Sequence, residues 1–113
     1  MKNYLIPVLF TVFTMLGFSN PIAAKPPGDK INGESIFKVN CAACHAGGNN
    51  VIMPEKTLKK DALEKNGMNK VEAITYQVVN GKNAMPAFGG RLDDSDIEDV
   101  ATYVLGQSEI GWD

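Results

Sequence analysis

The amino-acid sequence predicts an all-α fold in a single small domain. Three observations carry this. Four segments repeat their apolar residues at helical spacing. No alternation with a period of two runs long enough for a sheet strand. Glycine- or proline-bearing breaks separate the segments. A chain of 113 residues leaves room for one such domain and not two.

The N-terminus stands apart from these segments. Lys2 is followed by an apolar run from Leu5 to Phe18 and then by Pro21-Ile22-Ala23-Ala24. A basic start, an apolar stretch and small residues at the end are the layout of a cleaved secretory signal. The run is shorter than the roughly 20 residues that a membrane helix needs, and Pro7 interrupts it. The expectation is a signal peptide over residues 1–24 and a single domain over residues 25–113. The exported chain would work outside the compartment that makes it, where thiols tend to oxidise.

The polar, proline-rich stretch Lys25-Pro26-Pro27-Gly28-Asp29-Lys30 predicts an extended tail. The first helix is expected from Asn32, as N-cap, to Asn40 and on into the cysteines. Ile31 and Ile36 are spaced for a hydrophobic staple, with Phe37 and Val39 as further apolar contacts. Gly47-Gly48-Asn49-Asn50 ends it, and Pro54 keeps the following loop extended. A second helix runs from Thr57 to Lys65 with Leu58, Ala62 and Leu63 on one side, and stops at Asn66-Gly67. A third carries Val71, Ile74 and Val78, opens near Asn69 and Glu72 as a capping-box arrangement, and stops at Asn80-Gly81. The fourth runs from Asp93, as cap, to about Gln107. Asp94 and Asp96 lie in its first turn, and its buried stripe is Ile97, Val100, Ala101, Val104 and Leu105.

Composition excludes several functions. With 11 Lys+Arg against 13 Asp+Glu the net charge is −2, the wrong sign for neutralising nucleic-acid phosphates. Two cysteines are too few for a disulfide-dense scaffold. A single histidine excludes a multi-histidine metal site within one chain. Domains below about 70–80 residues commonly depend on a metal, a disulfide or a partner. The domain expected here is only slightly larger, so a stabilising staple is expected.

Cys41-Ala42-Ala43-Cys44-His45 supplies one. C-x-x-C-H is the pattern of covalent c-type haem attachment. Two thiols three positions apart on a helical turn can both reach the vinyl groups on one porphyrin edge. His45 then lies beneath the iron and can give it an imidazole nitrogen. Three other readings compete. A thioredoxin-like disulfide wants a βαβ context, which is missing. A structural zinc wants four ligands where three are at hand. The pair could also be incidental.

The other face of the iron would be open, bound to water, or bound by a second side chain. No other histidine exists. Met53, Met68 and Met85 remain after signal removal, and each is equally at home as core filler. Met85 is the best placed of them. It lies between the third and fourth helices, and Pro86 forces it out of helical geometry, so its sulfur can point inward across a ring. Phe88 is a candidate wall of the same crevice. His/Met ligation favours ferrous iron and suits one-electron transfer rather than substrate turnover.

The stretches Asn40 to His45, Lys56-Thr57-Leu58, Gly67-Met68, Asn80 to Phe88, Gly90-Arg91-Leu92, Val100 to Leu105 and Gly111-Trp112 resemble the cytochrome c6 family across nearly all of residues 31–112. The resemblance implies a class I cytochrome c fold, about four helices around one covalently bound haem c. It implies Cys41 and Cys44 as thioether anchors and His45 and Met85 as axial iron ligands. It places Gly33 and Phe37 against Tyr103 at a tight helix crossing, and Gln77 near the haem. It gives Arg91 a part in docking on photosystem I or, equally, a structural role beside the crevice. Family members carry electrons in the thylakoid lumen from cytochrome f of the cytochrome b–f complex to photosystem I. They are electron carriers and not enzymes, and this chain is expected to be a monomer. A single bacterial-type signal fits a plastid or cyanobacterial protein, and ten lysines against one arginine lean towards a plastid genome.

Overall fold

The computed structural model describes residues 28–112. The signal-peptide reading and most of the proline-rich tail therefore lie outside the described residues. Five α-helical segments follow one another: α1 (Lys30–Asn40), α2 (Ala42–His45), α3 (Lys60–Lys65), α4 (Val71–Asn80) and α5 (Asp94–Ile110). A 3-10 turn at Ala46–Gly48 follows α2 directly. Among the described residues the only β-type pairings are two isolated bridges, Lys82 with Met85 and Gly89 with Leu92. The all-α expectation is met.

α5 is the spine of the fold. Ile97, Val100, Ala101 and Val104 are buried along it, at the spacing of one helical stripe. Ile97 and Val100 are essentially inaccessible, and each such burial contributes about 1.5–3 kcal/mol. Phe37 of α1, Ile74 and Val78 of α4, and Phe88 complete the core cluster. Leu105 is only partly buried at its edge.

α1 crosses α5 at Gly33. A β-carbon there would lie 2.8 Å from Tyr103 Cβ and would overlap the Asp99 carbonyl. Only glycine allows this approach of backbone to backbone. Phe37 stacks at a tilt on Tyr103, with ring centroids 5.4 Å apart. The crossing implied by the family resemblance is present.

The same crossing decides where α1 begins. Asp29, not Asn32, is the N-cap, and its carboxylate accepts from the Ile31 and Asn32 amides. Asn32 lies inside the helix. Its amide donates to Asp96 at 2.9 Å and to Asp99 at 2.7 Å. Asp99 is 2% exposed and also accepts from the Asp29 amide. A buried carboxylate needs such donors to offset its desolvation, and Asn32 is drawn to that task. The predicted staple is likewise absent. Ile31 and Val39 are both exposed, because the face of α1 turned to α5 is the one carrying Gly33 and Phe37.

The other helix starts also differ from expectation. α3 begins at Lys60, since the Thr57 hydroxyl accepts from the Lys59 amide and holds a turn ahead of the helix. α4 is capped at Lys70 with no side-chain bond, so Asn69 and Glu72 form no capping box. Asp93 occupies the N-cap position of α5 without a side-chain cap bond. The ends of α3 and α4 follow expectation, with Asn66 and Gly81 as their C-caps, whereas α5 runs past the expected Gln107 to Ile110 and is capped at Gly111.

Candidate functional site

One cavity of about 440 Å³ opens between α1, α3, α4, α5 and the loops that join them. That is within the usual range for small-molecule and cofactor sites, roughly 300–1,000 Å³. Cys41, Cys44, His45, Gln77 and Met85 all line it. So do Met53, Met68 and Phe88. Residues far apart in the chain thus converge on one space, with Val100 and Val104 as part of its apolar floor.

His45 comes from α2, which continues α1 after a break at Cys41. Its backbone amide donates to the Cys41 carbonyl at 2.9 Å, closing the helical turn that brings the two cysteines and the histidine together. The ring Nδ1 lies 2.9 Å from the Asn49 carbonyl oxygen. A carbonyl can only accept, so Nδ1 carries the proton and Nε2 keeps its lone pair. A ring fixed in this way by an outer hydrogen bond is a prepared metal ligand.

Met85 is held by a tight turn. The Lys82 amide donates to the Met85 carbonyl at 3.0 Å and the Met85 amide to the Lys82 carbonyl at 2.9 Å. Asn83, at the bend, is the one non-glycine residue with positive φ among those described, a conformation asparagine tolerates better than most. Gly81 ends α4 with φ 68° and lies so close under Met85 and Pro86 that a β-carbon would come within 2.6 Å of the Met85 carbonyl. The Phe88 and Gly89 amides donate to the Val78 and Val79 carbonyls, which ties the loop back onto α4. Finally, the Gln77 amide nitrogen lies 3.5 Å from the Met85 sulfur, as its donor.

Burial pushes the Cys41 thiol up to about 11. A thiol so fully protonated at neutral pH lacks the thiolate character of a redox cysteine, and no sheet among the described residues gives the pair a thioredoxin setting. Among the described residues no group of three or more His, Cys, Asp or Glu side chains is placed to hold a metal ion. The zinc reading therefore lacks its ligands. A largely apolar cavity with two cysteine thiols on one wall, an imidazole with a free Nε2 and a thioether suits a covalently attached haem.

Comparison with known proteins gives the same family. A family model described as cytochrome c oxidase, cbb3-type, subunit III matches residues 28–104. Cytochrome c6 of Bumilleriopsis filiformis is 87% identical over 82 residues, covering 73% of this chain and 95% of that protein. Cytochrome c6 of Pyropia yezoensis is 66% identical over 109 residues, covering 95% of this chain and 96% of that one. The chain belongs to the cytochrome c6 family. The structure of cytochrome c6 from the diatom Phaeodactylum tricornutum superposes with a TM-score of 0.73 at 61% identity, covering 75% of this chain and all of that one.

As a member of the cytochrome c6 family it is a c-type electron carrier of photosynthesis, not an enzyme, and takes one covalent haem c. Arg91 does not line the cavity. It is exposed, and its guanidinium lies 5.1 Å from the centroid of Phe88, a cavity wall. Sequence reasoning missed two contributors. Asn50 lines the cavity and organises its rim, accepting from the Ile52 and Met53 amides and donating to the Lys56 carbonyl. Asn49 orients His45 through its backbone, which no side-chain signal could have disclosed.

Proposed function

We propose that residues 25–113 are a soluble, monomeric one-electron carrier of the thylakoid lumen, reduced by cytochrome f of the cytochrome b–f complex and oxidised by photosystem I. The observation that carries this is the convergence of Cys41, Cys44, His45 and Met85 on one cavity in a chain of the cytochrome c6 family.

In this reading the Cys41 and Cys44 sulfurs would anchor haem c as thioethers, and His45 and Met85 would be its axial iron ligands. When bound, the group supplies exchange between ferrous and ferric iron. The chain's own residues set the conditions for it. The Asn49 carbonyl keeps His45 Nε2 available as a ligand. Gln77 and the turn over residues 82–85 hold the Met85 sulfur in place, so it would be ready to hold the iron opposite His45. Ile74, Val78, Val100 and Val104 exclude water from the inner face. Arg91, exposed beside Phe88, contributes to docking on photosystem I.

No helix among the described residues is long and apolar enough to cross a membrane. The relative from Pyropia yezoensis matches along 95% of this chain, so the match extends into the leader. That agrees with residues 1–24 as an export signal, and the composition leans towards a plastid source.

The test is flash photolysis with photosystem I particles. The reduced protein is expected to re-reduce the oxidised reaction centre. A second reading follows from the description of the matching family model: a respiratory carrier donating to a terminal oxidase. Failure with photosystem I together with turnover by an oxidase would establish that reading instead.

A further inference from the structure

The described residues end at Trp112, beyond α5 and far along the chain from the Cys41–His45 attachment motif. The Trp112 indole nevertheless meets the haem-binding loop at two places, Gly48 and Leu58. A β-carbon on Gly48 would lie 2.5 Å from the indole Cγ, so this glycine and the ring are in face contact. The indole Nε1 donates to the Leu58 carbonyl at 3.0 Å. The Leu58 amide in turn donates to the Gly48 carbonyl at 2.8 Å. Trp112 also packs on Phe37, with centroids 5.3 Å apart, and meets Tyr103 edge-on.

The loop gripped in this way is the one that orients the histidine. Gly48 is followed by Asn49, whose carbonyl accepts from His45 Nδ1. The Asn49 amide donates to Ala46 at 3.3 Å, a long bond, and both Asn49 and the preceding Gly47 are exposed. Gly47 and Gly48 both have positive φ, at 66° and 75°. Two consecutive glycines hold a single conformation poorly; the Val51 amide on the Cys44 carbonyl at 3.1 Å ties the far side of Asn49, and the glycine side needs an outside contact to hold the Asn49 carbonyl still. The Trp112–Leu58–Gly48 chain of contacts supplies it.

We propose that Trp112 is a positioning residue for His45: by clamping Gly48 through Leu58 it keeps the Asn49 carbonyl against the Nδ1–H of the imidazole. Its effect on the haem rests on the reading of His45 as an iron ligand; its effect on the Nδ1–H bond does not. An imidazole that donates firmly from Nδ1 is the more basic ligand at Nε2 and so favours ferric iron. Loosening the clamp raises the midpoint potential.

The experiment uses the haem-loaded mature protein in its reduced, diamagnetic state. Hydrogen exchange of the His45 Nδ1–H is followed by NMR, with the Val104 amide in the core as reference for global opening. Trp112→Phe keeps a ring in the aromatic cluster and removes the bond to Leu58. It is expected to speed Nδ1–H exchange about tenfold relative to Val104, the loss of one ordinary hydrogen bond, and to raise the midpoint potential. Ile97→Val, which thins the core far from the loop, is expected to change both exchange rates together and leave their ratio as in the wild type. An unchanged ratio in Trp112→Phe, or a ratio raised as much by Ile97→Val as by Trp112→Phe, overturns the clamp. A raised ratio with an unchanged potential supports the clamp and counts against His45 as the ligand, so the two failures are distinguishable.

Discussion

The side-chain amide of Gln77 donates to the sulfur of Met85 across 3.5 Å. Gln77 lies on α4 and Met85 on the loop that follows it, so the contact joins a rigid element to a tight turn. A hydrogen bond donated to the thioether draws electron density from sulfur, which favours ferrous iron. Gln77→Leu is therefore expected to lower the midpoint potential. A bond of about 1 kcal/mol corresponds to roughly 40 mV for one electron, and a redox titration of the two proteins reads this difference. The visible spectrum should stay low-spin, because the turn over residues 82–85 still presents the sulfur.

Met85 itself is expected to set the larger effect. Met85→His should keep two axial ligands and lower the potential well beyond the Gln77→Leu change, since an imidazole replaces a thioether. The weak far-red methionine–iron absorption should vanish. Persistence of that band with an unchanged potential would transfer the role to Met53 or Met68, which line the same cavity.

The α1–α5 crossing should tolerate no side chain at Gly33. Gly33→Ala places a methyl group against the Asp99 carbonyl and Tyr103, where the obstacle is helix backbone and cannot rotate away. Overpacking of this kind costs about 1–3 kcal/mol. Thermal or denaturant unfolding should show it, with the spectrum of the folded protein little changed. At Gly67, where nothing lies within 4 Å of the β-carbon position, the strain is only that of the backbone, and Gly67→Asn is expected to cost less.

Alkaline stability should depend on Tyr103. Burial, reinforced by the charge of Glu34 and opposed by Lys38, holds its phenol above the usual value of 10.0. A group whose proton is held more tightly in the folded state contributes stability below its unfolded value, and that contribution is lost as pH rises through the folded value. Tyr103→Phe should therefore weaken the fall in stability above about pH 10 while leaving the slope below pH 9 as it is. Unfolding by denaturant at several pH values measures this.

Much of the site was legible because it is encoded locally. Cys41, Cys44 and His45 share one helical turn, and the spacing that aligns them is the motif itself. Met85 was legible because Pro86 denies it a helix and it lies between two strongly periodic segments. The apolar stripes of α4 and α5 were readable for the same reason: a helix repeats its face every three or four residues, whatever it packs against.

The helix starts were not readable in this way. Asn32 has the chemistry of an N-cap, yet Asp29 takes the position, because the buried Asp99 lies across the crossing and draws the Asn32 amide to itself. That carboxylate is 67 residues away in the chain, and nothing near Asn32 announces it. Trp112 is alike. Its partners Leu58 and Gly48 are distant in sequence, and its bond is to a backbone carbonyl, which every residue has.

From its amino acids alone this chain is committed to short helices, a haem-attachment turn and a methionine on a loop, since each depends on contacts within a few residues. Which carboxylate caps α1, which carbonyl steadies His45 and which side chain touches the Met85 sulfur were settled only when the helices packed. Those choices follow from burial, where every polar group must find a partner among whatever neighbours the fold brings within reach.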